Sequence, residues 1–403
     1  MAIVLIVCAS ATAVQGKEKE ITLNDLTDKS INLENLGRLE GLGNGYDEKA
    51  RQTLITGYFV TSYKYNDNGV AHGHGNEDHF GQDPANTKNF GFNTFTLGFN
   101  KRFSDHVWGA ASVEIGRHDG GTETELHTGE VHLIAPIGNG IDFTLGKFLS
   151  PVSFEQEDAP LMLQATHSLV YQFASPAEMT GLMVTYPFLE NLEVRGVVFN
   201  GWNQQEDNNS SKSLAFQVAY APTRWLDAKL SYLWGAEQAN NTSDPRQVVD
   251  GVITVRPWKG WLFGVEMAYG VDQNQSVTVP RTDAEWLSGQ ATAHYDWSRF
   301  FGTTARYSFY DDNNARPDIH PTQARTMHEV TFAPAFHLFP DFFGFRGYGV
   351  IPRTDHRISG VDLRLEYRRD WIDEGIARGF FTDAAGNKKS DRNTVIAEVV
   401  FSF

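Results

Sequence analysis

Asn393 to Phe403 reads N-T-V-I-A-E-V-V-F-S-F. Successive strand side chains point to opposite faces, so Val395, Ala397, Val399, Phe401 and Phe403 share one face while Thr394, Glu398 and Ser402 fall on the other. One face is apolar and the other mixed. The same split recurs upstream, in Val361, Leu363, Leu365 and Tyr367 against Asp362, Arg364, Glu366 and Arg368. It recurs again in Leu226, Ala228, Leu230, Tyr232 and Trp234 against Asp227, Lys229 and Ser231, and in Trp261, Phe263, Val265, Met267 and Tyr269 against Glu266. Alternation by itself suits a soluble sandwich with its charges outward as well as a membrane barrel with its charges inward. The lengths of the strands and of their connections separate the two.

From Thr53 onward the chain is a succession of alternating segments, sixteen in all, the first at 53–65 and the last at 393–403. Each is about ten residues, the length a tilted strand needs to cross a bilayer. The connections alternate short and long. Ser104 to His106, Pro136 to Gly140, Pro187 to Asn191, Pro222 to Trp225, Pro257 to Gly260 and Trp297 to Arg299 are tight turns, four of the six opening on Pro. Between them lie long polar stretches such as Asn66 to Asn89, Gly201 to Lys212 and, longest of the outer loops, Ser150 to Ala177. Short periplasmic turns alternating with long outer loops mark a transmembrane barrel, and a sandwich has no reason to keep that parity. Aromatics at strand ends, among them Tyr63, Trp108, Tyr220, Trp225, Trp258, Trp261, Tyr295 and Trp297, fit the two belts at headgroup depth. The fold class expected is therefore all-β, a closed antiparallel transmembrane barrel. Phe339 to Ser359 sits where a short turn belongs, which leaves eighteen strands as the alternative to sixteen.

Composition agrees and narrows the partners. Apolar residues make up 41% of the 403 and the mean hydropathy is -0.37. No apolar run reaches the roughly 18 residues of a spanning helix. A formal charge of -16 argues against a nucleic-acid partner, which demands basic faces. Residues 1–16 read as a signal peptide: Ala2 to Val14 is apolar, Ala11-Thr12-Ala13 offers an A-x-A site, and cleavage is expected between Ala13 and Lys17. Its basic n-region is missing, which points to a start further upstream. The sole cysteine, Cys8, would leave with it, and Leu5-Ile6-Val7 lacks the small residues of a lipoprotein site. Residues 17–52 are charged without strand alternation and read as a periplasmic segment, so the barrel is expected over 53–403.

Two resemblances follow. A final strand ending on aromatics resembles the C-terminal signal of bacterial outer-membrane barrels, which implies that Phe401 and Phe403 are read by the barrel-assembly machinery. On that basis, deletion of Phe403 is expected to abolish insertion in cells while leaving refolding in detergent nearly unchanged, and normal surface levels of the deletion would refute the role. The runs G-K-F-L-S-P-V-S-F-E (Gly146 to Glu155), S-L-V-Y-Q-F-A-S-P (Ser168 to Pro176), T-G-L (Thr180 to Leu182) and V-V-F-N-G-W-N (Val197 to Asn203) resemble the OmpL-like β-barrel porin family across about Thr53 to Phe403. This resemblance implies an integral outer-membrane diffusion channel and names no solute. Sixteen-stranded porins are often trimers, so a homotrimer is expected by analogy.

On that reading the inward face carries the chemistry. Pore-lining charges are expected at Arg102, Glu114, Glu130, Glu193, Arg195, Lys229, Glu266, Arg306, Asp362, Arg364, Glu366 and Arg368. With Asp142, Asp227, Asp250, Asp296, Glu329 and Glu398 added, and Arg256 among the bases, acids outnumber bases. The loop Ser150 to Ala177 brings Glu155, Glu157 and Asp158 and no base; folded inward, it would form an acidic constriction. Rings of carboxylates favour cations, so mild cation preference is expected for small hydrophilic solutes. His72, His74 and His79 with Glu77 and Asp78 have the donors for a metal, but so glycine-rich a stretch reads as a solvated loop. Asp311, Asp312 and Asp318 lack an EF-hand's spacing. No metal or cofactor is expected, and with no catalytic motif present neither is an enzyme. The residues leave open a second class, a structural or interaction barrel such as an adhesin or a sheath around an electron-transfer partner.

Overall fold

The computed structural model describes residues 53–70, 85–118, 121–276, 278–313, 325–338, 360–373 and 381–403. Sixteen long strands follow one another: β1 (Thr53–Asn66), β2 (Lys88–Ser104), β3 (Val107–His118), β4 (Gly121–Ala135), β5 (Ile141–Leu149), β6 (Glu178–Leu189), β7 (Leu192–Phe199) and β8 (Ser213–Thr223). The second half holds β9 (Leu226–Ala236), β10 (Pro245–Val255), β11 (Trp261–Asp272), β12 (Ala284–Ser298), β13 (Phe301–Asn313), β14 (Arg325–Leu338), β15 (Gly360–Ile372) and β16 (Asp391–Ser402). Each pairs antiparallel with its sequence neighbour, and β1 pairs with β16 to close a barrel. Closure removes every sheet edge, the condition for a sheet to exist in lipid, where an unpaired backbone group finds no water. Every segment expected from alternation holds one of these strands. The stretch 339–359, on which the eighteen-strand alternative rested, lies outside the described residues, as do 1–52 and the histidine-rich run 72–79.

The barrel is polar inside and oily outside. Glu193, Asp250, Glu266 and Glu329 are fully buried, whereas Leu145, Leu230, Ile253 and Phe216 on the opposite faces stand 59, 58, 51 and 53% exposed. A soluble protein would not leave a continuous aliphatic band in water. Lipid is the solvent that fits it. Aromatics ring the ends of the band, with Phe103, Trp225, Trp258, Trp297 and Phe300 exposed near the short turns and Phe90, Trp234 and Tyr269 near the other end. Trp108 corrects the sequence reading: β3 turns it inward, where it is 5% exposed and stacks on His132 with ring centroids 3.6 Å apart.

The tight turns need their glycines. Gly260 closes the β10 to β11 turn at φ 82, a conformation costly for any residue with a Cβ. Gly146 has a different task, since a Cβ there would lie 2.0 Å from the Gly129 carbonyl oxygen of β4. Phe403 also has a structural part. Its backbone exchanges two hydrogen bonds of 2.9 Å with Gly57, extending the β1 to β16 seam to the last residue.

Candidate functional site

Between β5 and β6, residues 150–177 turn into the barrel instead of running over its rim. A single 3-10 turn (Ala159–Leu161) and one short helix, α1 (Leu169–Ala174), punctuate the loop. Ser168 caps α1, its hydroxyl accepting from the Tyr171 amide at 3.2 Å. All six helix residues are buried. Leu169, Val170 and Phe173 join an apolar core with Phe148, Met179, Val197, Phe199, Leu233, Val248, Trp286, Tyr310 and Met327, many of them inward-facing strand residues. The inner wall is thus apolar beneath α1 and polar or charged elsewhere, including beneath the rest of the loop. Alternation within a strand cannot signal that, because the covering segment comes from another part of the chain.

Polar anchors complete the seat. Glu366 accepts from the amides of Ala165 and Thr166 at 2.7 and 3.2 Å and from the Thr166 hydroxyl at 2.5 Å. Arg306 donates to Glu155 at 2.5 Å and to the Thr166 carbonyl at 2.7 Å, while its Nε lies 3.1 Å from Glu329. Arg364 donates to the carbonyls of Ala159 and Gln164 and pairs with Glu398 at 3.2 Å. Arg368 donates to the His167 carbonyl at 2.6 Å and pairs with Asp370 at 2.8 Å. From the other flank Lys229 donates to the carbonyls of Pro151 and Ser153 at 3.2 and 2.7 Å. Buried charges are tolerated when paired and hydrogen-bonded in this way.

The loop acids face different groups. Burial alone would push the Glu155 carboxyl up, but Arg306, His167 and the Ser168 amide and hydroxyl hold it below the usual range. Asp158 behaves alike: burial raises it, and His127 at 3.0 Å with the Tyr58 hydroxyl at 2.9 Å outweighs burial and holds it down. Both carboxyls are therefore lower in the folded than in the unfolded chain, so their contribution is present above the unfolded value and is lost as pH falls through the depressed one. Glu157 accepts from the Tyr171 hydroxyl, whose own ionisation burial and the neighbouring acids push well up.

The remaining inward charges anchor less of the loop, although Glu266 also bonds to Ser153 and Glu114 faces His127 beside Asp158. Glu193 and Arg195 pair at 2.6 Å, and Glu266 accepts from Gln290 at 2.5 Å. Glu130 flanks His132, and Arg102 pairs with Asp105 at an inner turn. Asp362 meets His337 at 2.7 Å, and Glu114 accepts from the Thr96 hydroxyl at 3.0 Å. Tyr58, Thr166, Tyr171 and His127 also hold the site together, and sequence reasoning passed over all four. Among the described residues no group of three or more His, Cys, Asp or Glu side chains has an arrangement that could hold a metal ion.

A closed sixteen-stranded barrel with an apolar belt, a charged lumen and a loop packed within it defines an integral outer-membrane channel. The model of the family described as putative beta-barrel porin-2, OmpL-like, matches residues 53–403, and the chain belongs to that family. Among solved structures it is similar to the outer-membrane channel DcaP of Acinetobacter baumannii, with TM-score 0.60 and 12% identity over 89% of this chain and 99% of that one. It is also similar to an anion-selective porin from Comamonas acidovorans, with TM-score 0.56, 11% identity and coverage of 87% and 99%. A trimer form of in-vitro folded OmpT of Vibrio cholerae gives TM-score 0.53, 9% identity and coverage of 87% and 99%. At such identities the likeness is one of fold. No match was found among curated proteins.

Proposed function

We propose that this porin passes small hydrophilic solutes by diffusion with a mild preference for cations. The observation that carries the reading is that, with the fully buried Glu193, Asp250, Glu266 and Glu329 set aside, acids are among the more exposed inward charges. Arg306, Arg364 and Arg368 keep only 0, 3 and 2% of their side chains exposed, because the loop and the neighbouring acids cover them. Glu114, Asp158 and Asp362 keep 17, 14 and 29%. Lys64 and Arg102 are half-buried bases of β1 and β2 that temper the field without reversing it. Carboxylates nearer the path lower the entry barrier of cations and raise that of anions. A loop packed across the lumen also leaves little room for a threaded protein partner, which disfavours the sheath reading. The trimer form of the similar Vibrio protein supports a homotrimer here. The test is the reversal potential of the purified protein in a planar bilayer under a KCl gradient. A cation-side potential that shrinks as salt screens the acids is expected, and chloride preference would overturn the reading.

A further inference from the structure

Strands β3 and β4 pair through a bulge. Val113 stands opposite Leu126 but its neighbour Ser112 stands opposite Thr128, so His127 is an extra residue without a partner across the ladder. A bulge of this kind re-aims a side chain. Leu126 points to the lipid side at 41% exposure, and His127 is turned into the lumen with 8% of its side chain exposed. There Nε2 lies 3.0 Å from Asp158 Oδ1 of the crossing loop and Nδ1 lies 3.8 Å from Glu114 Oε2 of the wall. An imidazole held between two carboxylates, one on the loop and one on the barrel, lies where the crossing loop meets the inner wall.

We propose that His127 is a specificity-determining residue of the channel, a proton-dependent counter-ion that sets the net charge of the constriction. The charged and titratable groups around it are Tyr58 from β1, Glu114 from β3, Glu125 from its own strand, Lys147 from β5, Glu178 from β6, and Glu157 and Asp158 from the loop. Lys147 is engaged by Glu178 at 2.7 Å and by the Leu126 carbonyl at 2.8 Å, so its charge is already matched. Imidazole is the side chain suited to gain and lose a proton near neutrality. Protonated, it offsets one carboxylate and weakens cation preference; neutral, it leaves Asp158 and Glu114 uncompensated and strengthens it.

The inference rests on the lumen being the ion path, and its test is separable from that of the cation preference. The potassium-to-chloride permeability ratio is measured in planar bilayers from about pH 6 to about pH 10, because the two carboxylates flanking the imidazole favour its protonated form and move proton loss to the alkaline side. In the wild-type protein the ratio is expected to rise roughly twofold with pH, as one charge at the constriction is removed. His127→Gln, whose amide can still reach Asp158, should give a flat, high ratio, and His127→Lys a flat, low one. His132→Gln, at the Glu130 and Asp142 cluster away from the loop, should keep the wild-type slope. An unchanged slope in both His127 variants, or equal flattening by His132→Gln, overturns the proposal. A protein that prefers chloride throughout but loses its slope in the His127 variants would refute the cation reading and leave this one standing.

Discussion

Replacing Arg306 with leucine is expected to destabilise the barrel by about 3–5 kcal/mol, the cost of removing one partner from a buried ionic cluster. Glu329 and Glu155 would each lose the guanidinium that balances them, and the Thr166 carbonyl would lose its donor. Thr166 is also held by Glu366 and Arg368, so the loop is expected to loosen around this point rather than leave the lumen. Two measurements check this: the urea midpoint of unfolding from lipid vesicles, which should fall, and the single-channel conductance, which should rise and grow noisier. An unchanged midpoint with unchanged conductance would mean that the loop is held by its apolar contacts alone.

The second large effect lies on the other side of the wall. Leu365→Arg puts a guanidinium into the lipid band near the middle of β15 and is expected to cost about 2–4 kcal/mol. Leu365 is 40% exposed, and every neighbour on that face is apolar or aromatic, including Leu363, Tyr367 and Ala397 across the ladder. Alternation by itself makes Arg364→Leu the mild partner of this substitution. The structure removes that asymmetry, since Arg364 balances Glu398 and donates to two loop carbonyls. Both variants should therefore lower the unfolding midpoint in vesicles, and only Arg364→Leu should also alter conductance. A harmless Leu365→Arg would contradict a lipid-facing β15.

Strands and faces were legible in the sequence because a closed barrel repeats one physical rule in every segment. Lipid penalises a charge on one face and water in the lumen tolerates it on the other, so Asp362, Arg364, Glu366 and Arg368 declare their side without reference to any neighbour. The loop was legible as a length and a charge pattern but not as a set of contacts. Glu155, Glu157 and Asp158 look alike in the sequence, yet one meets Arg306, one Tyr171 and one His127 with Tyr58. Those partners are fixed by where a long segment comes to rest, which no local period encodes. His127 was hidden for another reason: the bulge shifts the alternation of β4, so parity counted along Glu125, Leu126, His127 and Thr128 does not give the faces these residues occupy. Trp108 misled because an aromatic beside a turn reads as a belt residue until its own parity is applied.

The seating of residues 150–177 bears on the seam of the barrel as well as on its passage. Ala159 packs on Tyr58, Val60 and Val400 at the seam where the first and last strands meet, α1 packs on β11, β12, β13 and β14, and Lys229 of β9, opposite the seam, holds the carbonyls of Pro151 and Ser153. A segment held at the seam and from the opposite wall ties the two together. Burial of Ala159 needs β1 and β16 side by side, so the shape of the passage and the integrity of the seam depend on one another.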